Sequence, residues 1–207
     1  MSREVSNGRR IAVTGARTYL GTELLRQLDG DPRFHSVLAL DIEKPDLDSE
    51  HIHFESIDLT VPTVGHQLTS LLGDYRIDTV VHGAYLTFPT HARSWAHEVE
   101  DVGTMHVLDA CAATKPRRLV QLSTTLVYGA RPSNPNFIQE DTRLISDGAG
   151  FIGDKIRADL QVGRFAANHP QIDVTQLRFA PVLGPRVDGL FPRFFQAPIA
   201  PVMMGYD

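Results

Sequence analysis

The chain of 207 residues is 42% hydrophobic and 22% charged, enough for one domain that buries about 70% of the surface its unfolded form exposes. Its formal charge of −5, from 25 acidic against 20 basic residues with no basic run longer than two, argues against a nucleic-acid partner or an anionic membrane surface. The single cysteine excludes an internal disulfide, the leader MSREVSNGRR has no apolar signal region, and no stretch approaches about 18 apolar residues, so a soluble cytoplasmic protein is expected.

Residues 10–15, RIAVTG, read as a strand, and 21–29 as a helix. Between them Gly15 allows a sharp turn, and Gly21 lets the helix approach the strands closely. The backbone N–H groups at the helix start, at Tyr19 and Leu20, face a pyrophosphate, aided by the helix dipole. Thr18 holds the middle position, where such loops usually carry a third glycine and where a side chain limits the approach of phosphate. A plain strand–helix turn fits the same residues. Asp41, closing the second strand SVLALD (36–41), lies 20 residues beyond Gly21 and tips the balance. A carboxylate there accepts both ribose hydroxyls of an adenosine and repels a 2′-phosphate, which favours NAD over NADP.

Further strands are expected at 52–58, 78–84, 118–124 and 173–180, and further helices at 64–73, 94–114 and 150–168. This alternation implies a parallel sheet with helices on both faces, a doubly wound α/β fold of the Rossmann type. His51 and His53 share a strand face without a carboxylate or cysteine cluster, so no metal site is expected. His82 reads as a satisfied histidine at the edge of a site, and Cys111, in LDACAA, as a buried, inert thiol. Residues 129–149 form a long polar loop. From 181 onward the chain turns apolar and proline-rich, and Phe191, Phe194, Phe195, Met203 and Met204 need a cover. We therefore divide a dinucleotide-binding domain (1–180) from the start of a truncated or reduced substrate-binding region (181–207), with a further domain expected as the cover.

Taken in order, these segments resemble the extended short-chain dehydrogenases/reductases, the nucleotide-sugar epimerase/dehydratase group. TGARTYLG is similar to that family's TGxxGxxG, and IDLT matches its acidic–apolar pair at the adenine, Asp58 and Leu59. VVHGAY resembles the cofactor-lining segment after strand four, with Ala84 at the small-residue position. LSTTLVYG resembles SSxxVYG, which places Thr124 where the family has its catalytic serine or threonine and makes Tyr128 structural. LRFAPVLGP resembles LRxxNVYGP, which sets Pro181 and Val182 near the nicotinamide. The family's Tyr-x-x-x-Lys pair appears as FIGDK, so Lys155 stands in the lysine position, where it holds the nicotinamide ribose, but Phe151 replaces the tyrosine. Loss of a positioned acid/base costs roughly 10²–10⁴-fold in rate. Glu100 replaces the asparagine of NVxGT, and Thr18 is the third departure.

The resemblance implies an NAD-dependent epimerase/dehydratase-like oxidoreductase acting on a hydroxyl of a nucleotide sugar or related polyol. Thr124 would bond the reacting oxygen, Lys155 would orient the ribose, and Tyr85 is the first candidate for a replacement hydroxyl, against a packing or cofactor-stacking role. Asp154 is discounted as the base, because it points off the helix face of Lys155. Phe151, Glu100 and Thr18 together support an alternative, a catalytically impaired NAD-binding protein with a structural or sensing role. An interaction module that binds no nucleotide is a third reading, which Asp41, Asp58 and Lys155 speak against. Helices 94–114 and 150–168 occupy the positions through which family members pair as homodimers.

Overall fold

Apolar side chains alternate along the strands, and that alternation sets the layers of the molecule. The computed structural model describes residues 8–129, 132, 134–144, 150–184, 186, 187 and 190–198. Its six strands are β1 (Arg9–Thr14), β2 (Phe34–Asp41), β3 (Ile52–Ser56), β4 (Thr79–His82), β5 (Arg118–Thr124) and β6 (Asp173–Phe179). All pair in parallel, in the order β3-β2-β1-β4-β5-β6. The helices are α1 (Tyr19–Leu28), α2 (Val64–Asp74), α3 (Arg93–His97), α4 (Gly103–Thr114), α5 (Phe151–Asn168) and α6 (Leu190–Gln196). This is the expected doubly wound fold.

One sheet face presents Ala12, Leu38, Leu40, Val80 and Leu119 to Leu68 and Leu72 of α2, Cys111 of α4, and Val162 and Phe165 of α5. The other presents Ile11, Val13, Val37, Ala39 and Val81 to Leu25 and Leu28 of α1. Each such side chain contributes about 1.5–3 kcal/mol by leaving water. Burial pushes the Cys111 thiol up to about 12, which keeps it protonated and inert. The strand order runs in opposite directions from β1 and β4, so a crevice opens outside the carboxyl ends of these two strands.

The predicted boundaries need three corrections. β3 and β4 end earlier than expected, at Ser56 and His82, because the chain beyond them leaves the sheet to line the crevice. Residues 94–114 are not one helix: a π-helical turn at Glu98–Val102 separates α3 from α4. There the Gly103 N–H reaches back to the Glu98 carbonyl, and the Thr104 hydroxyl takes the Glu100 carbonyl at 2.5 Å. Finally, α6 forms in the apolar tail, with Phe194 and Phe195 edge-to-face at 5.5 Å and both exposed. Met203, Met204 and parts of the 129–149 loop lie outside the described residues. No helix among the described residues is long and apolar enough to cross a membrane.

An ion pair whose carboxylate is buried and whose guanidinium is partly exposed fastens β6 to α5. The Asp159 carboxylate accepts two bonds from the Arg178 guanidinium, at 2.7 and 3.0 Å, and one from the Ser123 hydroxyl at 2.7 Å. Arg178 also donates to the Tyr128 hydroxyl and the Glu140 carbonyl, tying the loop after β5 to the same point. Its bond to Asp159 holds the guanidinium pKa above its ordinary value. Because the Asp159 side chain is 1% exposed, Arg178→Met strands a carboxylate in the core. We expect that variant to lose about 3 kcal/mol, read as a lower urea midpoint with an unchanged denaturant slope.

Candidate functional site

The turn after β1 is shaped by two close approaches. Gly15 has φ +70°, and a Cβ on it would lie 2.3 Å from the Gly83 carbonyl oxygen; a Cβ on Gly21 would lie 2.1 Å from the Gly15 carbonyl oxygen. Thr18 is the N-cap of α1: its hydroxyl donates to the Gly15 carbonyl at 2.7 Å and accepts from the Gly21 N–H at 3.1 Å. The side chain in the glycine position thus turns back onto the helix end. The N–H groups of Tyr19 and Leu20, the first two helical residues, keep no backbone or side-chain acceptor among the described residues.

Asp41 receives the Arg17 N–H on one oxygen and the Ile42 N–H on the other, both at 2.8 Å, and a carboxylate has further lone pairs to offer. Asp58 closes a turn, with one oxygen taking the Thr60 N–H and hydroxyl. A cavity of about 150 Å³ brings together Gly15, Thr18, Asp41, Asp58, Leu59 and Ala84, with Trp95 on its wall. A second, of about 100 Å³, brings together Tyr19, Leu20, Tyr85, Thr124, Lys155, Pro181 and Val182, with Phe151. A groove of about 600 Å³ shares Thr18, Asp41, Tyr85 and Trp95 with the first and Tyr19 and Tyr85 with the second. Gly21 lines none of these three spaces; it shapes the turn beneath them.

Lys155, on the wall of the second cavity, belongs to a buried ion pair. Lys155 Nζ stands 2.7 Å from Glu100 Oε1 and donates to the Leu86 carbonyl at 2.8 Å, while the Leu86 N–H donates to the same Glu100 oxygen at 2.7 Å. Glu100 is 4% exposed and Lys155 6%. The rings of Phe151 and Tyr85 lie over the ammonium, with centroids at 4.7 and 5.0 Å. Burial pushes the Glu100 carboxyl above its ordinary range, with Lys155 pulling the other way. The Tyr85 phenol is pushed up to about 12 by burial, then by the Glu100 charge. Tyr85 meets Lys155 with its ring, and its hydroxyl stays protonated, so it has no vacant position to take a proton. The sequence marks Glu100 only as a departure; its partnership with Lys155 needs the fold.

The π-helical turn is held from beneath by a one-way chain of hydrogen bonds. Because the Thr104 hydroxyl donates to the Glu100 carbonyl, it accepts from His82 Nε2 at 3.0 Å, and His82 Nδ1 accepts from the Thr14 hydroxyl at 2.8 Å. At the end of β5, Ser123 bonds inward to Asp159, while Thr124 caps the short 3₁₀ turn Thr125–Tyr128 through its oxygen. Asp154, next to Lys155 in sequence, is buried on another side of α5, where it bonds His97 Nδ1 at 2.9 Å and Arg157. Asp101 joins this cluster, but the guanidinium of Arg157, 3.0 Å from Asp101, stands where a cation would.

A crevice that gathers a glycine turn, a β2-terminal aspartate and a buried lysine at the carboxyl ends of a parallel sheet defines a dinucleotide-binding α/β protein. The model of the NAD-dependent epimerase/dehydratase family matches residues 11–200, and the chain belongs to that family. It is 30% identical to the Mycobacterium tuberculosis protein Rv0501 and to the Mycobacterium bovis protein Mb0513, over 95% of this chain and 54% of each relative. It thus spans about half the length of the curated relatives it matches. Among solved structures it is similar to the Bordetella bronchiseptica enzyme WbmH in complex with NAD⁺ (TM-score 0.75, 23% identity, 91% of this chain and 62% of that one). It is also similar to the dTDP-glucose 4,6-dehydratase of Bacillus anthracis in complex with NAD (TM-score 0.74, 20% identity, 90% and 60%). These likenesses extend the fold assignment.

His82 sets the acid response of this site. Burial lowers its pKa from 6.5 to about 4, so the fold favours the neutral ring. Its stabilisation is complete above pH 6.5 and is lost as the pH falls toward 4, on the order of 3 kcal/mol. Urea unfolding of wild type should show this loss. His82→Asn, less stable at neutral pH, should lose correspondingly less on acidification.

Proposed function

We propose that this chain is the dinucleotide-binding part of an NAD-dependent epimerase/dehydratase-type oxidoreductase that acts on a hydroxyl of a nucleotide sugar or related polyol. One observation carries the reading: unpartnered N–H groups at the start of α1, the Asp41 carboxylate and the Thr124–Lys155 pair all face one crevice. That donor and acceptor set fits NAD. Bound there, NAD supplies a reversible acceptor of hydride. The Tyr19 and Leu20 N–H groups hold the pyrophosphate, Asp41 the adenosine ribose, and Asp58 and Leu59 the adenine. Gly15, Gly21 and Thr18 give the turn its shape. Ala84, Pro181 and Val182 would flank the nicotinamide, and the third N–H of Lys155 would be free to hold its ribose. The Thr124 hydroxyl donates to the reacting oxygen of the substrate. Nucleotide sugars are supported as the substrate class by the family and by similarity to the Bordetella bronchiseptica enzyme WbmG, solved with NAD and UDP. Residues 181–207 begin the substrate-binding region in this reading. A homodimer would pair through α4 and α5, whose outer faces expose Met105 and Leu160.

A specific feature favours a second reading, an NAD-binding protein without turnover: Phe151 presents a ring to Lys155 where the resembling family presents a hydroxyl. The test is titration with NAD, NADH and NADP, following melting temperature and NADH fluorescence, with UDP-glucose and dTDP-glucose as trial substrates. NAD and NADH should raise the melting temperature and NADP should not, and Asp41→Ala should weaken NAD by about tenfold or more. Conversion of a nucleotide sugar, with NADH formed transiently or released and the rate increased in Phe151→Tyr, assigns the oxidoreductase. Tight NAD binding without turnover in either form assigns the second reading. Failure of all three dinucleotides to bind would overturn both.

A further inference from the structure

The crevice needs a group that takes the proton when a hydroxyl is oxidised, and its described lining supplies few. Of the titratable side chains around the second cavity and the adjoining niche of about 20 Å³, Tyr19 has no hydrogen-bond partner among the described residues to carry a proton onward, and Tyr85 offers Lys155 its ring. Both ring nitrogens of His82 are already engaged. Ser123 is bound to Asp159, and a threonine hydroxyl such as that of Thr124 is no base. That leaves Lys155 and Glu100. The niche is lined by Glu100, Thr124, Tyr85 and Lys155, the last three of which also line the larger cavity. The ion pair therefore stands at the junction of the two spaces.

We infer that Glu100 is the terminal acceptor of the substrate proton, which reaches it through Lys155. The inference rests on the oxidoreductase reading above. In the step, the substrate C–H bond breaks with loss of hydride, the chemistry NAD supplies. Lys155 Nζ first passes one of its protons to Glu100 Oε1, 2.7 Å away, and the resulting amine rotates its freed lone pair toward the substrate and takes the O–H proton. The alcohol becomes a carbonyl, Lys155 ends as an ammonium, and Glu100 becomes a neutral acid. Counting nicotinamide, Lys155 and Glu100, the site holds one positive charge before and after. A buried site of low dielectric favours such a charge-conserving transfer over release of the proton to bulk water. Burial also raises the proton affinity of Glu100, the direction an acceptor needs. The groups acting on it are Lys155 and Asp154 from α5, Tyr85 from the segment after β4, and His82 through Thr104.

The proposal predicts that the redox state of the cofactor sets the protonation of Glu100, with no substrate present. NAD⁺ and NADH binding to the chain would be measured by calorimetry in buffers of different ionisation enthalpy, across about pH 5.5–8.5. NADH should take up one proton more than NAD⁺, and its affinity relative to NAD⁺ should rise by up to about tenfold for each unit the pH falls. Glu100→Gln keeps an acceptor for Leu86 and Lys155 but cannot titrate, so it should abolish both effects while still binding both dinucleotides. Glu100→Asn serves if that variant does not fold. Should neither fold, ¹³C-carboxyl glutamate NMR of wild type decides, with a protonated signal expected in the NADH complex alone. Equal proton uptake for the two dinucleotides, or a difference that survives in Glu100→Gln, overturns the proposal and leaves the oxidoreductase reading standing. If neither dinucleotide binds, that reading falls as well.

Discussion

Three hydrogen bonds among Glu100, Lys155 and the Leu86 backbone hold the crevice together. They join the segment after β4, the π-helical turn and α5, three pieces of chain that enter the site from separate directions. Neither charge tolerates the loss of the other, because each is almost wholly out of water. The pair therefore imposes its geometry on its neighbours. Phe151 and Tyr85 pack as lids over the ammonium, and the backbone at Leu86 is held in a conformation that uses both its N–H and its carbonyl.

A steric constraint sets the opposite wall. Gly15, Gly21 and Gly83 bring the ends of β1 and β4 and the start of α1 into contacts that leave no room for a Cβ on the first two. This closeness exposes the first N–H groups of α1 to the crevice, and the Thr18 hydroxyl keeps them aligned by capping the helix from inside the turn. A threonine is accommodated because its backbone is extended, with φ −62° and ψ 154°, and needs no glycine. The side chain that stands in the glycine position also secures the helix end.

The fold was legible because its signals are local. Strand runs, the Gly15–Gly21 spacing and Asp41 at the end of β2 each depend on a few neighbouring residues. The features that were not legible depend on contacts across the chain. The break at Glu98–Val102 coincides with a contact from another element: the Thr104 hydroxyl, bonded to His82 from β4, donates to the Glu100 carbonyl. A helical pattern in 94–114 contains no sign of that partner. The direction of the Glu100 carboxylate follows from the same turn, so its pairing with Lys155, 55 residues away, could be read only as a departure from a motif. Tyr85 lines the crevice, but whether its ring or its hydroxyl faces Lys155 depends on packing that the sequence does not display. In α6, a proline in the first turn of an apolar tail concealed a helix that proline tolerates there.

The chain from Thr14 through His82 to Thr104 runs in one direction, each member both giving and receiving. All three residues are buried, so their hydroxyl and ring protons are shut off from solvent exchange. Such protons persist long enough to give separate proton resonances, which most threonine hydroxyls and histidine ring N–H groups do not. The core beneath the crevice thus carries its own reporters: any motion that opens the π-helical turn lets water reach them, and their signals broaden before the rest of the fold responds.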